Sequence, residues 1–343
     1  MQESSADRRR TRRRIAARPA ARALRGACGA AAVLAAAAGL AALAPGASSW
    51  SPVRTARAAS PALNVVTTTE GLAALARAVG GTRVAVSPLS RGYSDPHFVD
   101  AKPTLALLLA RANLLVHVGL ELESGWLPPL MLASRNASIS VGATGNLEAA
   151  SLVAVGDIPT LPAAELRKMG DLHPRGNPHF LSSPVEARKV AQGIAARLGV
   201  LDPAGASTYN ANLAAFLGVL DAKEKTWRAA LAAVAGRTVV AYHQSWNYFV
   251  RWAGLSLVGY IEPRPGIPPS PSHLAALVAA MKTAGTHAIV MENWYPTKVP
   301  EVVAARSGAK LLVLPGDVGG EPPLADYPAF IDRLVSAVVG ALR

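Results

Sequence analysis

The chain has 343 residues, 51% of them hydrophobic and 17% charged, enough to bury one large core or two smaller ones. A net charge of +13 invites a nucleic-acid partner until the charge is located: eleven of the 35 Lys and Arg fall in residues 1–58, against Glu3 and Asp7 alone. The remainder carries 24 basic and 20 acidic residues, an ordinary surface balance, so nucleic-acid binding loses its main support.

Residues 1–58 have the three parts of an export leader. RRRTRRR at 8–14 is a positive region, 27–44 is an uncharged apolar run, and ARA at 56–58 is a small-x-small cleavage site, with Ala47 an earlier alternative. A run of this length could also be retained as an anchor. Its alanine richness makes it weakly apolar, which favours export with cleavage, and the consecutive arginines permit the twin-arginine route. Cys28, the only cysteine, stands at the head of the run, which argues against lipid attachment and against any disulfide in the mature chain. Nothing after about residue 62 is apolar enough to span a bilayer, so the expectation is a periplasmic or otherwise extracytoplasmic, soluble monomer.

In chain order, LNVVTTT from Leu63 reads as a buried strand and EGLAALARAVGG as a helix closed by glycines. RVAVSPLS is a second strand, PTLALLLARAN a helix, and LLVHVGLELE a third strand with its exit loop; ASISVGA and SLVAVG are weaker strand expectations. PVEARKVAQGIAARLG reads as a helix with Pro184 at its start and Gly199 at its end. From Ala206 to Ala235, Tyr209, Leu213, Phe216, Leu220, Trp227, Leu231 and Val234 recur at helical intervals and mark one apolar stripe. Such a helix would be about 45 Å long, a stiff connector between two lobes.

The alternation then resumes: RTVVAYH, LSLVGYIE, HAIVMEN and KLLVLPGD are strands, separated by the helices SPSHLAALVAAMKTAG and KVPEVVAARSG and closed by YPAFIDRLVSAVVGAL. Ser270 can cap its helix with Pro271 as first helical residue. The expected fold class is therefore α/β, with two lobes, each a mainly parallel sheet flanked by helices, joined by one long rigid helix. The boundaries are expected at 59–205, 206–235 and 236–343; no tandem repeat of fixed period is visible.

In open parallel sheets the ligand crevice lies beyond the carboxyl ends of the strands. His97 follows RVAVSPLS, His179 sits in the loop before Pro184, His243 ends RTVVAYH, Glu292 ends HAIVMEN, and Asp317 ends KLLVLPGD. Separations of 82 and 64 residues between the histidines exclude a local chelate and require tertiary closure. His97 and His179 share the string Pro-His-Phe, and a proline before each fixes φ and stiffens the loop. Asp95, Asn177 or a backbone carbonyl is positioned to take the second ring N–H. Three imidazoles with one carboxylate suit four-coordinate Zn²⁺; Mn²⁺ prefers a larger share of oxygen.

SDPHFVDAKP, GLELESGWL, GNPHFLSSP, YHQSWNYF and IVMENWYPTKVPEVVAARSGAKLLVLP together resemble the cluster A-I solute-binding proteins, the zinc and manganese receptors of ABC importers. The resemblance spans residues 62–343. It implies two lobes on a rigid helix, a metal ion between them, and delivery to a membrane permease. It places His97, His179 and His243 on the family's histidine ligand positions, and histidine at the third favours zinc over manganese. The sequence departs from the family at VLPGDVGG, where Pro315 stands near the usual aspartate and Asp317 follows two residues later. Asp317, Glu292 or a water can complete the shell. The His/Asp-rich loop of some zinc members has no counterpart.

Other residues have structural readings. His117, His273 and His287 are expected to pack or to serve element ends, His173 to lie on the surface, with a loop position near the cleft as the alternative, Glu121 and Glu123 to serve their loop or its helix start, and Trp126, Trp246, Tyr248 and Phe249 to fill the core, with a dry wall around the metal as the alternative. The leading function is an exported receptor, not an enzyme, that captures Zn²⁺ for an ABC permease. Its competitors are a zinc hydrolase with an open metal position and Glu292 as base, and a metal-binding surface adhesin on the same scaffold.

Overall fold

The computed structural model describes residues 63–160, 173–264 and 266–343; the leader, with Cys28 and both cleavage positions, lies outside them. β1 (Leu63–Thr67), β2 (Val84–Pro88), β3 (Leu114–His117) and β4 (Asn146–Glu148) form one sheet, ordered β2-β1-β3-β4. β5 (Thr238–Ala241), β6 (Ser256–Tyr260), β7 (Ala288–Glu292) and β8 (Lys310–Leu314) form the other, ordered β6-β5-β7-β8. Every neighbouring pair is parallel. The two halves share one strand order without sharing a sequence repeat. In each, the chain adds its second strand on one side of the first and its third on the other, which opens a crevice at the strands' carboxyl ends.

Local chemistry sets the element ends. Helix α1 (Glu70–Gly80) is capped by Thr69, whose hydroxyl accepts from the Leu72 amide, and it stops where Gly81 takes φ +54, a value that costs a side-chain-bearing residue dearly. Helix α2 (Pro103–Ala110) begins with proline, as does α3 (Leu127–Ser134) within its first turn. Helix α4 (Pro184–Leu201) leads into α5 (Ala206–Ala232), 27 residues and about 40 Å long. Its expected stripe is the buried face: Tyr209, Phe216, Leu220, Trp227 and Leu231 are buried, and Val234 is buried just beyond its end. Helices α6 (Asn247–Ala253), α7 (Pro271–Thr283), α8 (Lys298–Ser307) and α9 (Tyr327–Leu342) complete the described set. Ser270 caps α7 by accepting from the His273 amide at 3.2 Å, as its sequence suggested.

Three apolar clusters explain the layering. α2 and α3 cover one face of the first sheet through Val66, Leu109, Leu115 and Leu130. α7 and α8 cover one face of the second through Val240, Met281, Ile289 and Val303. The largest cluster runs from the inner face of the first sheet through α1, α4, α5 and α9 to the inner face of the second. Polar ties reinforce it: the Trp227 indole and Lys223 both donate to Asp332 on α9, at 2.7 and 2.5 Å. No described helix is long and apolar enough to cross a membrane.

Two strand expectations fail for local reasons. ASISVGA forms a short 3-10 turn, Ala137–Ile139, because Asn136 accepts from the Ser138 amide and donates to the Leu109 and Ala112 carbonyls, bending the chain. SLVAVG is not a strand either. Asn146–Glu148 takes the place beside β3, and the Ser151 hydroxyl donates to the Glu148 carbonyl at 2.6 Å and turns the chain away. The sequence reading also passed over α3, whose Pro-Pro pair suggested a break but sits where the first turn tolerates it, and α6, too short to display a period.

Candidate metal centre

The two Pro-His-Phe loops are built alike. Asp95 Oδ1 accepts from the His97 backbone amide at 3.0 Å and from ring Nδ1 at 2.6 Å. Asn177 Oδ1 accepts from the His179 amide and from its Nδ1, both at 2.9 Å. Because a backbone N–H donates to the same side-chain atom, that atom must be the acceptor oxygen, so Nδ1 carries the ring proton and Nε2 keeps its lone pair. The intervening proline has no donor to compete and holds the loop. The Trp126 indole donates to the Pro96 carbonyl at 2.9 Å, and Asn177 Nδ2 donates to the Gln244 carbonyl at 2.8 Å, so each loop is anchored from behind.

His243 leaves β5 in extended conformation, and its Nδ1 donates to Glu262 Oε2 at 2.9 Å. Glu262 lies two residues past the end of the adjacent strand β6, with Oε1 held by the Gly266 amide at 3.0 Å. All three rings therefore turn Nε2 away from an anchored Nδ1. Their centroids make a nearly equilateral triangle of 5.2, 5.4 and 5.2 Å, and one ligand atom from each lies within 4.8 Å of the others. Tetrahedral zinc at about 2.0–2.1 Å needs nitrogens about 3.4 Å apart, a modest contraction of this triangle. His243 Nε2 is buried with no hydrogen-bond partner, a donor set awaiting an electrophile. Burial, followed by the charges of the other rings, drives His179 well below the ordinary histidine range, so it presents the neutral form a cation needs.

The expected carboxylates stand close by but outside that triangle. Glu292 is 2% exposed at the end of β7; Ser245 donates to its Oε1, and its Oε2 has no partner. Burial raises Glu292 above the usual carboxylate range despite His243 and Ser245. Asp317 gives both oxygens to backbone amides, Oδ2 to Gly71 at 2.9 Å and Oδ1 to Val318 at 2.8 Å, and burial lifts it to about 7. Glu292, Asp317 and His179 line one cavity of about 70 Å³.

His173 departs from the surface placement read from sequence. It is 9% exposed, its ring stacks on His97 at 5.3 Å, and the two Nε2 atoms are 3.1 Å apart. The residues around it are a proline and a charged Asp-Leu pair, typical of exposed loops, which is why the sequence hid its burial. Glu262 was missed for a different reason: it lies 19 residues beyond His243 and reaches it only because β6 is the neighbour of β5. Most of the other readings hold, but among the described residues Glu121 makes no side-chain hydrogen bond to its loop and its buried Oε2 has no partner. His117 Nε2 pairs with Asn146, His273 Nε2 with the Tyr260 carbonyl, and Glu123 accepts from Thr68, Val118 and Gly119. Trp126, Trp246, Tyr248 and Phe249 are buried.

The first and second halves meet around the histidines through fixed polar ties. The Gly156 amide donates to the Tyr248 hydroxyl at 2.7 Å, which donates to the Asn177 carbonyl at 3.0 Å. Asp157 accepts from Asn247 and Arg251 at 2.8 and 2.7 Å. Tyr295, stacked on Tyr242 at 4.5 Å, walls His243.

The profile of the family described as zinc-uptake complex component A, periplasmic, matches residues 65–341. Zinc-binding lipoprotein AdcA of Streptococcus pneumoniae is 25% identical over 260 residues, 74% of this chain and 49% of the relative. The high-affinity zinc uptake system protein ZnuA of Yersinia pestis is 26% identical over 293 residues, 81% of this chain and 91% of the relative. The chain thus spans about half the length of the first of these and most of the second. A ZnuA deletion mutant with zinc bound superposes with a TM-score of 0.67 at 27% identity, covering 82% of this chain and 98% of that one.

Proposed function

Since the chain belongs to the family of the periplasmic component A of zinc-uptake complexes, we propose that it captures Zn²⁺ outside the cytoplasm on His97, His179 and His243 and delivers it to the permease of an ABC importer. Residues 59–205 and 236–343 act as two lobes, 206–235 as the stiff helix joining them, and 1–58 as the export leader. The role is binding and transfer, without turnover.

The observation that carries this reading is the triangle of imidazoles, each locked at Nδ1 by a different partner so that Nε2 keeps its lone pair, with His97 Nε2 also facing His173 Nε2. Such pre-setting lowers the ordering cost of binding, because ring orientation and tautomer are settled before the ion arrives. Asp95 and Glu262 add two negative charges behind the rings, matching a divalent cation. Burial pushes Asp95 up, yet the hydrogen bonds and charge of His97, with that of His243, outweigh it and hold it below its ordinary range, so it stays ionised. The relatives named for zinc uptake, and the zinc-bound ZnuA fold, support zinc as the cargo.

Calorimetric titration of protein purified without a polyhistidine tag tests the reading. One zinc ion per chain is expected, with His243→Ala weakening it by orders of magnitude. An unchanged affinity in that variant would remove the basis for the assignment.

A further inference from the structure

Three imidazoles leave tetrahedral zinc one ligand short. We propose that His173, not a carboxylate, supplies the fourth, giving an all-imidazole shell; this rests on the zinc-receptor reading above. His173 Nε2 lies 3.1 Å from His97 Nε2, close to the edge of about 3.4 Å between two nitrogens on one tetrahedral zinc ion. Two ring nitrogens approach this closely only as a hydrogen bond or as joint ligands of a cation. His97 Nδ1 already donates to Asp95, so in the metal-free protein His173 Nε2 is the donor to the lone pair of His97. Zinc replaces that shared proton: His173 shifts its ring proton to Nδ1 and both Nε2 lone pairs face the ion.

Glu121 lines the same groove as His173, and Gly119, Leu120 and Glu121 hold φ of +86, +54 and +64 in succession. Two consecutive left-handed residues with side chains persist only where the surroundings enforce them. His173 also lines, with His97, Phe98, Glu121 and Trp126, an open groove of about 620 Å³. An ion arriving along it meets His173 and His97 together before it reaches His243, which is 3% exposed.

Charge does not demand a carboxylate in the shell. Asp95 behind His97 and Glu262 behind His243 already bring two negative charges to the ion through the rings. Glu292 has one oxygen engaged by Ser245, and Asp317 has both engaged by backbone amides. His173 stands outside the 4.8 Å triangle, so it must swing toward His179 and His243 to join the shell. An all-nitrogen shell also selects against Mn²⁺, which favours oxygen.

Zinc K-edge X-ray absorption on the stoichiometric zinc complex of the untagged chain counts imidazoles directly. Four are expected in the unaltered protein, and three plus one oxygen in His173→Ala, whose zinc affinity falls by about tenfold or more. Three imidazoles and an oxygen in the unaltered protein overturns the proposal, as does a superimposable spectrum from His173→Ala. The unaltered protein alone decides the count, so a variant that fails to fold leaves the test intact. Failure of the receptor reading has its own signature, overturning both: no zinc retained at one per chain, or zinc retained undiminished by His243→Ala.

Discussion

Glu262→Gln isolates the contribution of a group that never touches the ion. Glu262 is 8% exposed, accepts from His243 Nδ1 through Oε2 and from the Gly266 amide through Oε1. Glutamine keeps the shape but has one acceptor. If its oxygen faces His243, its amide opposes the Gly266 N–H; if reversed, it opposes the ring N–H and frees the wrong tautomer. The charge is lost in either orientation. A divalent ion on Nε2 would lie about 6 Å from that carboxylate, where loss of one negative charge is worth about 1–5 kcal/mol for effective dielectrics from water-like to 20. Outer partners of metal-bound histidines typically contribute 10–100-fold in affinity, about 1.4–2.7 kcal/mol, inside that range. Competition against a chromophoric chelator near neutral pH should therefore give a Kd raised roughly 10–100-fold. A change under about twofold would refute the claim that Glu262 orients and polarises His243.

Tyr248→Phe removes a hydroxyl that bridges Gly156 and Asn177, leaving a donor and an acceptor unpaired between the halves. Chemical denaturation of metal-free protein should show a loss of about 1–3 kcal/mol; no loss would mean water replaces the bridge freely. Acid should destabilise the metal-free protein. Burial, then the charges of His97 and His243, depresses His173 to about 3, and His179 is lowered well below the ordinary value. Above about pH 6.5 both are neutral folded and unfolded, and their stability is complete; as pH falls below that, the unfolded chain binds protons the fold refuses, losing about 1.4 kcal/mol per unit for each. Asp317, raised to about 7 by burial, opposes this, since its folded form keeps a proton that the unfolded chain releases as pH rises above about 4. Asp317→Asn should therefore steepen the fall in stability between about pH 6.5 and 4. A slope that stays unchanged or flattens would contradict the burial assigned to Asp317.

The parts legible in the sequence were those written in one dimension. The stripe from Tyr209 to Val234 announced the long helix, and the alternation of short apolar runs with helices announced two parallel sheets. Asp95 and Asn177, two residues before their histidines, could be suspected as ring partners because the loop itself brings them there. Glu262 could not, since its approach to His243 depends on β6 lying beside β5, a fact of sheet order. His173 is buried by contact with His97, 76 residues away, and no local pattern records that. The failed strands share a cause: Asn136 and Ser151 bond to nearby backbone and divert segments whose composition alone favours extension.

The most direct test is anomalous diffraction at the zinc edge from crystals of the zinc complex. One peak within bonding distance of Nε2 of His97, His179 and His243 is the predicted result. A peak that leaves any of these three rings uncoordinated, or no peak between them, would contradict it.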